Sequence, residues 1–194
     1  MPETEGTGGA GPTTREWTDV LLGALRESGG AGDIDFNQVA QLARTTSERL
    51  AVHAGEIPRI SLAGRLHDIG KVAIPTAILL KPGPLDEREW EVMRTHAETG
   101  ERILRSAASL ADVALLVRHH HERYDGSGYP DGLDGARTPL GSSVITVCAA
   151  FTAMMRQRPY SDAITVAEAI AELRRCAGTQ FHPGVVDAFC EPFE

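Results

Sequence analysis

The sequence is poor in aromatic residues and in cysteine. Phe, Trp and Tyr make up 5% of the chain, so a core would consist mainly of Leu, Val, Ile and Ala. Three cysteines, Cys148, Cys176 and Cys190, are too few and too scattered for a disulfide framework or a paired-cysteine zinc site. We interpret them as small core residues in a reducing cytosol.

The sequence also lacks long apolar runs and targeting signals. Its apolar segments are too short for a membrane span. The N-terminus has no basic region followed by an apolar region, which a signal peptide requires. We therefore expect a cytoplasmic protein without a membrane span.

Positive charge is scarce as well. The chain has 27 acidic and 19 basic side chains, and its formal net charge is −8. A surface of this sign repels nucleic acids and anionic lipids, so we expect no nucleic-acid partner. A locally basic pocket for one small phosphate ligand remains compatible with this charge. With 194 residues, of which 42% are hydrophobic, the chain is long enough for one globular domain with a real core.

Apolar periodicity predicts helices and no lasting strand. Residues 1–14 are rich in Gly, Thr, Pro and Glu, and we predict a disordered tail there, followed by a single domain over residues 15–194. Predicted helices begin near Arg15, Phe36, Pro58, Glu87, Leu110, Ser142, Val166 and Pro183. Five glycines and two prolines between Tyr124 and Gly141 predict a long ordered loop. The predicted fold is therefore all-α, a helical bundle with one long Gly/Pro-rich loop.

Histidine is concentrated in three places. Five of the seven histidines fall at His67 with its neighbour Asp68, at His96, and at His119, His120 and His121. Imidazole and carboxylate together suit first-row transition metals. An aspartate next to a histidine at a helix end can bridge two ions about 3.5–4 Å apart, which is the arrangement of two-metal phosphoesterases. Taken singly, each histidine is more often a core or surface residue, and the pair before Gly70 could be a helix cap.

The residues around these histidines carry a resemblance to a known family. The strings are HDIGK (67–71), THAETG (95–100) and HHERYDGSGYP (120–130). With these motifs in this order, the chain resembles the HD-GYP family of metal-dependent phosphodiesterases, within the HD-domain superfamily. The resemblance extends from about residue 35 to residue 189.

The resemblance implies a role for several residues. The implied metal ligands are His67, Asp68, His96, His120 and His121. Lys71 and Asp68 are the implied catalytic residues, with Lys71 steadying the scissile phosphate. Arg158 and Tyr160 match positions that hold the cyclic dinucleotide in the family, and the loop with Gly128, Tyr129 and Pro130 is associated with substrate access and docking of a protein partner. We expect His119 to be an exposed histidine at a helix end.

Two positions depart from the family pattern. Asp35 stands where an early histidine is usual, and it could either bind metal or cap the helix that begins at Phe36, with capping favoured. Ala149 stands at a ligand aspartate, and Thr152 stands at the next acidic position. In the family, the positions of Asp35 and Ala149 belong to the same metal. We therefore expect a site that holds one ion well and the other poorly or not at all.

Two functions follow as hypotheses. The first is a metal-dependent phosphodiesterase that hydrolyses cyclic di-GMP to the linear dinucleotide or GMP, with impaired activity. It would use one or two divalent ions, Fe or Mn foremost, with Ni and Zn as further candidates. The alternative is a catalytically degenerate cyclic di-GMP-binding or protein-interaction module that keeps one metal. A phosphohydrolase for another nucleotide is a third hypothesis, against which the Arg158–Tyr160 string argues.

Overall fold

The computed structural model describes residues 11–29, 35–156 and 164–193. Within these ranges the chain is helical, and its only β-type pairings are two isolated bridges. The prediction of an all-α fold is confirmed. The α-helices are α1 (Thr14–Glu27), α2 (Phe36–Arg49), α3 (Ile57–Leu66), α4 (Thr76–Leu79), α5 (Glu87–Arg94), α6 (His96–Ser106), α7 (Ala114–Arg118), α8 (Leu140–Met154), α9 (Val166–Arg175) and α10 (Pro183–Cys190). Short 3₁₀ turns cover Ile69–Ala73, Ala108–Val113 and Glu191–Phe193.

Local sequence explains where the helices begin. Capping boxes, in which an N-cap side chain and a glutamate three residues later bond each other's backbone, start α1, α5 and α9. Asp35 caps α2, because its Oδ1 accepts hydrogen bonds from the backbone N–H groups of Asn37 (3.0 Å) and Gln38 (3.2 Å). The capping interpretation of Asp35 is therefore confirmed.

Helix α8 runs through the centre of the bundle. It packs against α2, α3 and α10, and its core residues include Val144, Ile145, Val147 and Phe151. A helix that is apolar on nearly all sides is suited to this central position. Helices α2 and α3 pack closely along each other on one side of α8. None of the helices in the described ranges is both long and apolar enough to cross a bilayer.

Several helix ends differ from the prediction. The helix expected from Glu87 through Leu104 is two helices, separated at Thr95. The Thr95 hydroxyl donates to the Val92 carbonyl at 2.7 Å and so satisfies a group at the end of α5. The helix expected to run into the histidines ends at Arg118. The predicted Gly/Pro-rich loop ends at Pro139, and Gly141 lies inside α8, where a Cβ would be 2.9 Å from Ile60.

Candidate metal centre

Four side chains from three separate parts of the chain converge in the interior. They are Asp68, His96, His120 and His121, and each offers one ligand atom within 4.8 Å of the others. Asp68 follows α3, His96 is the first residue of α6, and His120 and His121 follow α7. Asp68, His96 and His120 are buried, and His121 is largely buried. The three sequence motifs therefore meet at one place.

Three histidines of the site share one hydrogen-bonding pattern. In each, Nδ1 lies beside the backbone carbonyl three residues earlier: His67 with Gly64 (2.8 Å), His96 with Met93 (2.7 Å) and His120 with Val117 (2.6 Å). A carbonyl only accepts, so Nδ1 carries a proton, and in the neutral ring the lone pair is on Nε2. The Nε2 atoms of His96 and His120 face each other at 3.5 Å. Such backbone partners commonly orient metal-binding imidazoles.

Two glycines allow the motifs to approach this closely. A Cβ on Gly70 would lie 1.9 Å from the His96 carbonyl oxygen and 2.6 Å from the Gly100 nitrogen. A Cβ on Gly100 would lie 3.0 Å from the side chain of Val117. The turn after Asp68 therefore packs directly on the start of α6, and α6 packs on α7. Because Gly70 and Gly100 have no Cβ, the aspartate and the histidines can lie close together.

The protonation states suit a divalent cation. Burial lowers the pKa of His96, and it lowers the pKa values of His120 and His121 well below the usual range. Burial alone would raise the pKa of Asp68, but the Lys71 ammonium and nearby His67 outweigh it and hold this pKa well below its ordinary value. Near neutral pH the cluster is therefore three neutral imidazoles and one carboxylate. This donor set fits a first-row transition metal.

The two oxygens of Asp68 face different groups. Oδ1 lies 3.7 Å from His96 Nε2, on the side of the four-residue cluster. Oδ2 accepts a hydrogen bond from Lys71 Nζ at 2.7 Å and lies 3.3 Å from His67 Nε2. His67 therefore lies beside the other oxygen of this carboxylate and against the His120 ring, and it is not one of the four donors of the cluster.

The donors for a second ion are incomplete among the described residues. Asp35 is exposed and caps α2. Ala149 lies on the wall of the cavity next to Asp68 and has only a methyl group to offer. The Thr152 hydroxyl donates to the Cys148 carbonyl at 2.9 Å. The residues present thus fit one ion and do not fit the usual pair.

The cavity next to the cluster has a volume of about 300 Å³. Its lining residues are Val39, His67, Asp68, Lys71, His120, His121, Thr146, Ala149, Ala150, Thr152, Ala153, Arg156 and Gln180.

Sequence reasoning missed Arg156 and Gln180. Helical spacing could have found Arg156, because it follows Ala149 by two turns. No pattern in the sequence indicates that Gln180 lines the cavity. A backbone hydrogen bond from the Tyr124 N–H to the Gln180 carbonyl (3.2 Å) brings it there from a distant part of the chain. Arg158 and Tyr160 lie outside the described residues.

The long loop folds back onto the cluster. The Tyr129 ring stacks on that of His121, with centroids 4.8 Å apart and an interplanar angle of 19°, and the Arg94 guanidinium lies over the tyrosine ring. The Glu122 carboxylate accepts backbone hydrogen bonds from Asp131 (2.8 Å) and Leu133 (3.0 Å). Gly128 is required here, because a Cβ would lie 2.3 Å from the Arg123 nitrogen.

The expectation of an exposed His119 is wrong. The residue is buried, and its Nε2 lies 2.9 Å from Asp131 Oδ2. Arg118 bonds the same carboxylate with two contacts of 2.7 Å and reaches Glu101 on α6 at 2.8 Å. The loop folds back so that Asp131 covers His119. The sequence near His119 does not indicate this contact, because Asp131 lies twelve residues further along the chain.

The fold and the cluster define a helical domain built around histidine and aspartate side chains that could hold a metal ion. The sequence matches the HD domain family over residues 18–185. The chain belongs to this family.

Individual relatives agree with this assignment. The cyclic di-GMP phosphodiesterase response regulator RpfG of Xanthomonas campestris pv. campestris is 39% identical over 90% of this chain and 47% of its own length. A 3'3'-cGAMP-specific phosphodiesterase of Vibrio cholerae is 34% identical over 94% of this chain and 35% of its own. The chain thus spans less than half of either relative. The solved structure of a HDG"Y"P protein from Bdellovibrio bacteriovorus shares the fold, with a TM-score of 0.66 and 13% identity over 92% of this chain and 60% of that one.

Proposed function

We propose that this domain is a metal-dependent phosphodiesterase that hydrolyses cyclic di-GMP. The observation that carries the proposal is the convergence of Asp68, His96, His120 and His121 beside the Lys71 ammonium. Phosphoryl transfer needs a cation that polarises the phosphate and a positive group that offsets the growing charge on its oxygens. The four donors would hold the cation, and Lys71 would be the positive group.

Each residue of the site has its own proposed role. Asp68, His96, His120 and His121 would hold a divalent ion, iron or manganese before nickel or zinc. When bound, such an ion supplies a Lewis acid and lowers the pKa of a coordinated water. Lys71, which lines the same cavity, would donate to a phosphate oxygen. His67 Nε2 lies beside the other oxygen of Asp68, at 3.3 Å.

Cyclic di-GMP is the substrate that the relatives favour. RpfG is named for this nucleotide, while the Vibrio cholerae relative is named for 3'3'-cGAMP, so the class of cyclic dinucleotides is common to both. We propose that Arg158 and Tyr160 bind the nucleotide. The loop around Tyr129 would control substrate access and would dock a protein partner. The product would be the linear dinucleotide or GMP.

A second candidate function is a binding module that keeps one ion and hydrolyses the nucleotide poorly. The observation that favours it is the absence of a donor at Ala149, together with the capping role of Asp35. With one ion, the domain could bind a phosphodiester without cleaving it efficiently.

Anaerobic turnover of cyclic di-GMP with added Mn(II) or Fe(II) tests the proposal. His120→Ala should abolish turnover, whereas His53→Ala, a histidine away from the cavity lining, should leave turnover unchanged. Turnover that survives His120→Ala would contradict the assigned site. A folded, metal-loaded wild type that binds cyclic di-GMP without turnover would favour the binding module.

A further inference from the structure

The cavity beside the metal centre has an unusual balance of charge. Among the described residues that line it, Asp68 is the one carboxylate, while Lys71 and Arg156 are two cations. Lys71 already pairs with Asp68 at 2.7 Å. A divalent ion at the four-residue cluster would add further positive charge. A cavity of this kind is suited to an anion with more than one charge or several oxygens.

The wall formed by α8 contributes no negative charge. Thr146, Ala149, Ala150 and Ala153 follow one another at helical spacing and line the cavity together. The Thr146 hydroxyl bonds the carbonyls of His120 (2.7 Å) and Ser142 (2.9 Å), so its proton is directed at the backbone. This wall therefore offers mainly methyl groups and no carboxylate or imidazole for a second cation.

Arg156 continues the same line of residues. It lies seven positions after Ala149, and it lines the cavity just beyond the last turn of α8. A guanidinium is always charged at physiological pH, and its planar set of donors matches two oxygens of a phosphate. The negative end of the α8 dipole also favours a cation at this position.

We propose that Arg156 is a phosphate-binding residue and that, with Lys71, it holds one phosphoryl group of the substrate beside the single metal ion. The proposal deepens the proposed function and rests on the same cavity. The two side-chain cations would then provide the positive charge that a second ion would otherwise bring to the phosphate. The alanine at position 149 is compatible with this arrangement, because a carboxylate there would repel the anion unless a second ion neutralised it.

Binding of inorganic phosphate by isothermal titration calorimetry tests the proposal. The protein is loaded with Mn(II), and wild type is compared with Arg156→Ala, Arg156→Gln and Arg156→Lys. Removal of the guanidinium should weaken phosphate binding at least tenfold at unchanged Mn(II) content. Lysine should restore part of the affinity, because it keeps the charge but not the two-pronged geometry. The Gln variant serves if the Ala variant unfolds.

Arg44→Ala is the matched control, because Arg44 is an exposed arginine of α2 that pairs with Glu48 and lies outside the cavity lining. Its phosphate affinity should equal that of wild type. Equal affinity of Arg156→Ala and wild type, or a wild type without phosphate binding, would overturn the proposal. Since inorganic phosphate undergoes no turnover, this result is independent of whether cyclic di-GMP is hydrolysed.

Discussion

Lys71 Nζ lies 2.7 Å from Asp68 Oδ2, the carboxylate oxygen that faces away from the histidine cluster. The ammonium thus neutralises part of the charge of this carboxylate on the side that His67 also faces. His67 Nε2, at 3.3 Å from the same oxygen, is the remaining donor there. The described residues therefore provide the donors for one ion, and His67 and Asp68 Oδ2 are the donors left for a second.

Ala149→Asp should restore a second ion. The new carboxylate would join His67 and Asp68 on the wall of the cavity, which has room for it at about 300 Å³. We expect bound Mn(II) to rise from one ion per chain towards two, and cyclic di-GMP turnover to increase. Metal analysis after dialysis and a turnover assay measure both effects. Ala149→Asn is the control of matched shape, and an Asp variant that gains neither metal nor turnover would refute this explanation of the site.

Asp35→Ala should lower stability without changing metal content. The substitution leaves the N–H groups of Asn37 and Gln38 without their cap, at a cost of about 1 kcal/mol in the free energy of unfolding. Urea denaturation and metal analysis on the same samples measure the two quantities. Asp35→Ser, which can still cap, should recover most of the stability. Loss of bound metal in the Ala variant would show that Asp35 is a ligand after all.

Gly70→Ala should disrupt the metal centre. The new Cβ would meet the His96 carbonyl at 1.9 Å, a backbone atom that cannot move aside without displacing α6. We expect a loss of at least about 2 kcal/mol in the free energy of unfolding, together with weaker metal binding. Thermal denaturation with and without Mn(II) measures both. Gly83→Ala is the control, because a Cβ there meets no atom within 4 Å. Similar behaviour of the two variants would contradict the packing described here.

Asp131→Asn should destabilise the domain at neutral pH, with a difference that disappears in acid. Hydrogen bonds from Arg118, and then His119, hold the pKa of Asp131 well below its ordinary value. A depressed pKa contributes stability above the unfolded value of about 3.9, and this contribution is lost as the pH falls through the folded pKa. Because the carboxylate is 35% exposed, solvent screening limits the effect to about 1 kcal/mol.

Urea midpoints of Asp131→Asn and wild type, compared from pH 7 down to pH 2, measure this pH dependence. Asp134→Asn provides the control, since Asp134 pairs with Arg137 at 3.3 Å but is 51% exposed in the same loop. The control should show little change in the midpoint at any pH. A deficit of Asp131→Asn that persists unchanged into acid would contradict the assigned role of the ion pair.

Much of this structure follows from the sequence. Helical periodicity and capping residues predict the all-α fold and most helix starts, including the start of α2 at Asp35. The motif strings predict which donors are candidates for the metal centre. Helix ends were predicted less well, because His96 and His120 bond the carbonyls of α5 and α7 through their rings, and periodicity does not register such bonds. Burial of His119 and the approach of Gln180 depend on contacts between distant segments.

The backbone bonds of His67, His96 and His120 have a consequence for metal uptake. Each ring is already fixed by folding, in a helix-terminal position and in one tautomer, before any ion arrives. The loss of side-chain entropy therefore occurs during folding and does not oppose metal binding. An ion that binds only this arrangement stabilises the folded chain by mass action. Fraying of the three helix ends and release of the ion should then be one cooperative event.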